Sequence, residues 1–152
     1  MKSKEETVLE LFFSSSKHWH FKEIMKKAKI SRPQLAQWLK KFEKECVIKR
    51  IKLKGKMPYY VQNFENPNFQ HRKILFALKQ LTESGLLNHL ASLKDAKVVV
   101  VFGSIARPDW YEGSDIDIFI YGNDEEFEQG KYELKLKREI QVHTAKTKKD
   151  LK

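Results

Sequence analysis

Hydrophobic positions at the start of the chain recur with a helical period. Val8, Leu9, Leu11, Phe12 and Phe13 form an apolar stripe and predict an amphipathic helix over 5–13. Phe21, Ile24, Met25 and Ala28 repeat at the same spacing, with Lys22, Lys26, Lys27 and Lys29 mostly on the other side. Leu35, Trp38, Leu39 and Phe42 follow at i, i+3, i+4 and i+7. Ser31 is placed to cap this third helix, and Pro33 falls in its first turn, where a missing N–H costs little. Trp19, Phe21, Trp38, Leu39 and Phe42 are the expected core of this half. The period then changes: Ile48, Arg50, Lys52 and Lys54 alternate with Lys49, Ile51 and Leu53. Gly55 sits where a hairpin must reverse, and "PYYVQ" reads as the returning strand.

"QNFENPNFQ" shows no helical periodicity until Phe69 and reads as a linker. It divides the chain into units 1–64 and 65–152. A helix follows, with Ile74, Leu75, Leu78 and Leu81 on one face and a break at Ser84-Gly85. "KVVVVF" is apolar at every position after its lysine and predicts a buried central strand. "SDIDIFIY" alternates, placing Asp115, Asp117 and Phe119 on one face and Ile116, Ile118 and Ile120 on the other. Helices and strands so arranged predict an α+β fold.

Charge sharpens the division. Residues 1–64 hold 16 Lys and Arg against 6 Asp and Glu, which is the whole net charge of +10; residues 65–152 hold 14 of each kind. A basic first unit attracts phosphate backbones or acidic surfaces. No apolar run approaches the roughly 18–20 residues needed to span a bilayer. Glu5, Glu6 and Glu10 interrupt the first apolar stretch, so no secretory leader and no membrane partner are expected. Cys46 is the single cysteine, which excludes an intrachain disulfide and a cysteine zinc cluster, and a cytoplasmic location is expected. His18 and His20 flank Trp19 without companion metal ligands nearby.

The chemistry concentrates in "VFGSIARPDWYEGSDIDIFIY" at 101–121. A strand ending in Gly103-Ser104 before a helical turn aims N–H groups and a hydroxyl at a phosphate. Two carboxylates at i and i+2 on a strand repel each other, and a divalent cation relieves them; hydration at a strand end would also tolerate the pair. "GSIAR" at 103–107, ten residues at 105–114 between Gly103-Ser104 and Asp115, and "SDID" at 114–117 together resemble the minimal nucleotidyltransferases of the DNA polymerase β superfamily. The resemblance covers about residues 70–150 and implies a small mixed-sheet fold. It implies a nucleoside triphosphate substrate held by Gly103, Ser104, Arg107 and Ser114, and two Mg²⁺ ions held by Asp115 and Asp117. Pro108 stands where the family usually has glycine. A third carboxylate, on a later strand of the family, corresponds to Gln141 of "IQV". Glu139, on the same face of a regular strand, is the candidate to replace it in catalysis beside Asp115 and Asp117. His143 shares that face, as a base or as an ordinary surface histidine.

The pattern over 4–62 resembles a winged helix-turn-helix, whose third helix enters the major groove and whose wing touches backbone. That resemblance implies DNA contacts by Arg32, Gln34, Gln37, Lys40 and Lys41, and by the wing residues Lys49, Arg50, Lys52, Lys54 and Lys56. Winged-helix regulators are commonly dimers, so a homodimer is one expected state. The leading expectation is a Mg²⁺-dependent enzyme that moves a nucleoside monophosphate onto a hydroxyl of a protein or other acceptor, antitoxin-like with a toxin as partner. Its rival is a DNA-binding regulator whose impaired transferase domain senses a nucleotide; Gln141 favours the rival, and the retention of Gly103, Ser104, Asp115 and Asp117 opposes it.

Overall fold

A computed structural model of the chain describes residues 2–151. The chain divides into two compact units, Met1–Lys73 and Ile74–Lys152.

The first unit begins with α1 (Lys4–Ser14), capped by a reciprocal pair in which Ser3 Oγ accepts from the Glu6 N–H and the Glu6 carboxylate accepts from the Ser3 N–H. A short β1 (Trp19–His20) leads into α2 (Phe21–Ala28) and α3 (Arg32–Lys44). Pro33 does occupy the first turn of α3, after Ser31 at the N-cap. β2 (Ile48–Ile51) and β3 (Tyr59–Gln62) form an antiparallel hairpin, and β1 adds to β3, giving the sheet order β1-β3-β2. Gly55 lies in the connecting turn at φ +72°. Val8, Leu9, Phe12 and Phe13 of α1, Ile24 of α2, and Leu35, Leu39 and Phe42 of α3 are buried. Trp19 is buried as its pattern predicts, but Phe21 and Trp38 are only half-buried, because each lies at the margin of its helix's apolar arc. Residues 63–66 are a turn rather than a long linker, and α4 (Pro67–Glu83) starts directly after it. Phe69 of α4 is fully buried and packs against Phe13, with ring centroids 5.4 Å apart.

The second unit takes in the later turns of α4, then α5 (Leu86–Ala91), β4 (Ala96–Phe102), a 3₁₀ turn at Ser104–Ala106, β5 (Ile116–Gly122), α6 (Gln129–Leu136), β6 (Ile140–Ala145) and a last 3₁₀ turn at Lys148–Leu151. β4 and β5 are antiparallel; β5 and β6 are parallel, joined by the crossover that carries α6. The sheet is therefore mixed, and the fold is α+β. Ile116, Ile118, Ile120 and Ile140 put one face of the sheet into a core shared with Leu81, Leu86, Leu90, Ile105, Trp110 and Tyr132, all buried.

Two expectations need correction. The valine run is not a central strand: among the described residues β4 pairs with β5 alone, and β5 is the middle strand. Val98 and Val100 are 50% and 44% exposed. Valine favours any pleated backbone, so a β-branched run cannot tell a central strand from an edge. On α4, Leu75 and Leu78 are 61% and 49% exposed, while Phe76, Ala77 and Leu81 are buried. The helix is apolar on more than one side, and its periodicity alone did not choose between adjacent stripes.

Candidate active site

The site forms where β4 ends against the start of β5. Phe102 is the register partner of Asp117, and Asp117 in turn is the partner of Gln141 on β6. Paired residues of neighbouring strands project to the same face. The sheet face opposite the isoleucine core thus carries Phe102, Asp117 and Gln141 in one row, with Val100, Phe119 and His143 in the next.

Gly103 follows at once, at φ +78° and ψ −159°, a region open to glycine alone. A Cβ at this position would lie 2.2 Å from Asp117 Oδ2 and 3.0 Å from its Cγ. The carboxylate therefore rests directly against the glycine backbone, in space that any side chain would fill. Ser104 opens the 3₁₀ turn, closed by N–H donation from Ala106 to Gly103 O (3.2 Å) and from Arg107 to Ser104 O (3.0 Å). Ile105 anchors it in the core. The first N–H groups of such a turn have no partner within it, which leaves them for an anion.

Arg107 Nε and Nη2 donate to the two carboxylate oxygens of Asp109 at 3.2 and 3.1 Å. Both side chains are exposed, so this pair is weak. Ser114 faces its own loop: its Oγ accepts from the Tyr111 N–H at 2.8 Å. Arg138 Nη1 donates to the carbonyls of Tyr111 and Ser114 at 2.9 and 2.8 Å, clipping the segment that leads into Asp115. Nothing in "KREI" marks Arg138 for this task; only the tertiary approach of the two segments does so.

Asp115 precedes β5 and is half-buried; Asp117 lies within the strand, its side chain 28% exposed. Glu139 sits just before β6 and is exposed, its carbonyl accepting from the Ile116 N–H at 2.9 Å. The paired register begins one residue later, so it is Gln141 that stands opposite Asp117. Glu133 on α6 fixes the start of β6 by accepting from the Ile140 N–H at 3.0 Å and from Gln129 at 3.2 Å; these bonds, the backbone one foremost, hold its carboxyl below the usual range. His143 Nε2 lies 3.8 Å from Asp117 Oδ1, and its ring centroid is 5.5 Å from that of Phe102. Among the described residues no group of three or more His, Cys, Asp or Glu side chains is placed to hold a metal.

Residues 84–151 match the family model of the nucleotidyltransferase domain. No curated protein and no solved structure was found to match the chain. A nucleotidyltransferase domain supports general nucleotidyl transfer and implies a nucleoside triphosphate substrate, usually with a divalent metal. The donor chemistry here fits such an ion: two partly accessible carboxylates, one seated against the Gly103-Ser104 turn, are oxygen ligands of the kind Mg²⁺ takes. The matched segment contains every residue of the site from Gly103 to His143. Among the described residues no helix is long and apolar enough to cross a membrane.

The predicted DNA-contacting residues all lie in the first unit. Arg32, Gln34, Gln37, Lys40 and Lys41 on α3 are exposed, as are Lys49, Arg50, Lys52, Lys54 and Lys56 along the hairpin. Lys41 donates to Glu5 at 2.7 Å, which raises its ammonium pKa above the usual value. Arg32 lies over the Phe21 ring at 5.3 Å.

Proposed function

We propose that the second unit transfers a nucleoside monophosphate from a nucleoside triphosphate to a hydroxyl acceptor. The observation that carries this reading is the seating of the Asp117 carboxylate against Gly103 at the mouth of the Gly-Ser turn. In the reaction the acceptor oxygen bonds to the α-phosphorus, the bond from that phosphorus to the pyrophosphate oxygen breaks, and the hydroxyl proton passes to solvent or a nearby base. The turn at Gly103-Ser104 binds the phosphates, Arg107 exchanges Asp109 for phosphate oxygens, and Asp115 and Asp117 hold the divalent ions. When bound, such ions neutralise phosphate charge and make the acceptor hydroxyl easier to ionise. Glu139 is the carboxylate available as a base once a substrate is in place. The electrically neutral character of residues 65–152 favours a protein acceptor, such as a toxin, over a long nucleic acid.

Calorimetry with ATP and GTP, without a divalent ion and with Mg²⁺ or Mn²⁺ in turn, tests this reading. The wild type should bind in a metal-dependent manner, and Asp115→Asn/Asp117→Asn should lose that binding. No binding by the wild type would overturn it. It would leave the second reading, a DNA-binding regulator with a retired transferase site, which Gln141 opposite Asp117 favours.

The first unit fits a winged helix-turn-helix that binds DNA, probed by α3 and by the basic β2–β3 hairpin as wing, with a homodimer as the expected binding form. Replacing Lys49, Lys52 and Lys54 by Ala should weaken binding to all DNA sequences alike. The slope of log affinity against log salt should fall by roughly one for each lysine–phosphate pairing removed. An unchanged slope in a filter-binding or anisotropy titration would take the hairpin out of the interface.

A further inference from the structure

Asp117 and His143 are held 3.8 Å apart at their nearest polar atoms, although nothing about stability calls for it. The histidine side chain is 57% exposed, and an exposed pair of this kind contributes little to folding. His143 stands two residues beyond Gln141 on the same sheet face, with Phe102 beside its ring. Two donors about 2.1–2.2 Å from one ion stand roughly 3 to 4.3 Å apart, depending on the angle between them. The observed 3.8 Å lies between the cis and trans separations of an octahedral ion, and rotation of the exposed His143 side chain can bring the pair to the cis distance. One donor is a carboxylate oxygen and the other an imidazole nitrogen. Mg²⁺ prefers oxygen ligands and gives up water reluctantly, whereas imidazole suits first-row transition ions.

We propose that Asp117 and His143 hold one divalent ion between them, and that this mixed donor pair makes the site select a transition ion such as Mn²⁺ over Mg²⁺. The inference rests on the nucleotidyl-transfer reading of the same site. Water and nucleotide phosphates complete the coordination, so no third protein side chain is required. Gln141, opposite Asp117, supplies a neutral amide and no competing negative charge to pull the preference back toward magnesium.

The test uses the full chain, with the metals alone and with ATP added. Mn²⁺ is titrated by electron paramagnetic resonance, Mg²⁺ by competition against it, and pulsed measurements on the Mn²⁺-loaded protein report directly bonded nitrogen. Wild type should show nitrogen modulation. His143→Ala should lose the modulation and weaken Mn²⁺ about tenfold, with Mg²⁺ affinity little changed. His143→Asp should tighten Mg²⁺ and narrow the preference. If wild type binds both metals but His143→Ala alters neither the modulation nor the Mn²⁺ to Mg²⁺ ratio, this proposal is wrong and the transfer reading stands. If wild type binds neither metal, alone or with ATP, the transfer reading fails and the proposal falls with it. His143 is exposed, so neither substitution threatens the fold.

Discussion

Gly103→Ala is expected to reduce nucleotidyl transfer, or metal-dependent nucleotide binding, about 100-fold. One methyl group does this in two ways. It forces a residue with a Cβ into a backbone region at φ +78° and ψ −159° that only glycine occupies cheaply, at a cost of about 1–3 kcal/mol. It also lies 2.2 Å from Asp117 Oδ2, so the carboxylate or the turn must give way by about an ångström. Misplacement of a reacting group on that scale is worth about two orders of magnitude in rate. Steady-state kinetics or calorimetry beside a thermal melt separates the two effects: the folded protein should persist with its site disabled. A Gly103→Ala protein with wild-type nucleotide binding would show that the turn and Asp117 do not act together.

The second large effect is expected at a buried side chain of the loop between the turn and Asp115. Trp110 is 1% exposed, stacks on Phe76 with centroids 6.1 Å apart and lies beneath the Arg138 guanidinium at 5.3 Å. It follows the Gly-Ser turn and sits inside the loop that ends at Asp115. Trp110→Ala should cost about 3–5 kcal/mol in urea or guanidinium unfolding, the range for deleting a large buried aromatic. Trp110→Phe should recover much of that by keeping the stack on Phe76. The loop also loses the platform under Arg138, so any residual activity should fall further than the melting temperature alone explains. A destabilisation below about 1 kcal/mol would mean that the ring is not packed as described.

The candidate site residues were easier to read than their surroundings. "GSIAR" and "SDID" pointed to a phosphate turn and a carboxylate pair because their chemistry is local: a glycine, a hydroxyl and two acids at short spacing. The sequence had no way to show that Ser114 and Tyr111 are clipped by Arg138, or that Glu133 pins the start of β6, since those partners are separated by many residues or belong to no motif. Glu139 illustrates the same limit. Alternation alone put it on the face of Gln141, yet the regular register starts one residue later and Glu139 remains exposed beside the strand end.

By itself the sequence determined where the first three helices and the hairpin strands (though not β1) form in the first unit, the break at Ser84-Gly85, the burial of Ile116, Ile118 and Ile120, and the identity of the acidic pair. These follow from periodicity, backbone freedom at glycine and side-chain chemistry, all written within a few neighbouring residues. Tertiary structure alone decided that the valine strand lies at the edge of its sheet, that α4 buries Phe76 and Ala77 rather than Leu75 and Leu78, and that Asp117 meets Gly103 on one side and His143 on another. Strand order, the choice between two apolar stripes and a 3.8 Å approach across a parallel pair are set by which segments pack together. Burial free energy depends on the area covered, whichever residue covers it, so a chain's local pattern leaves its distant partners open.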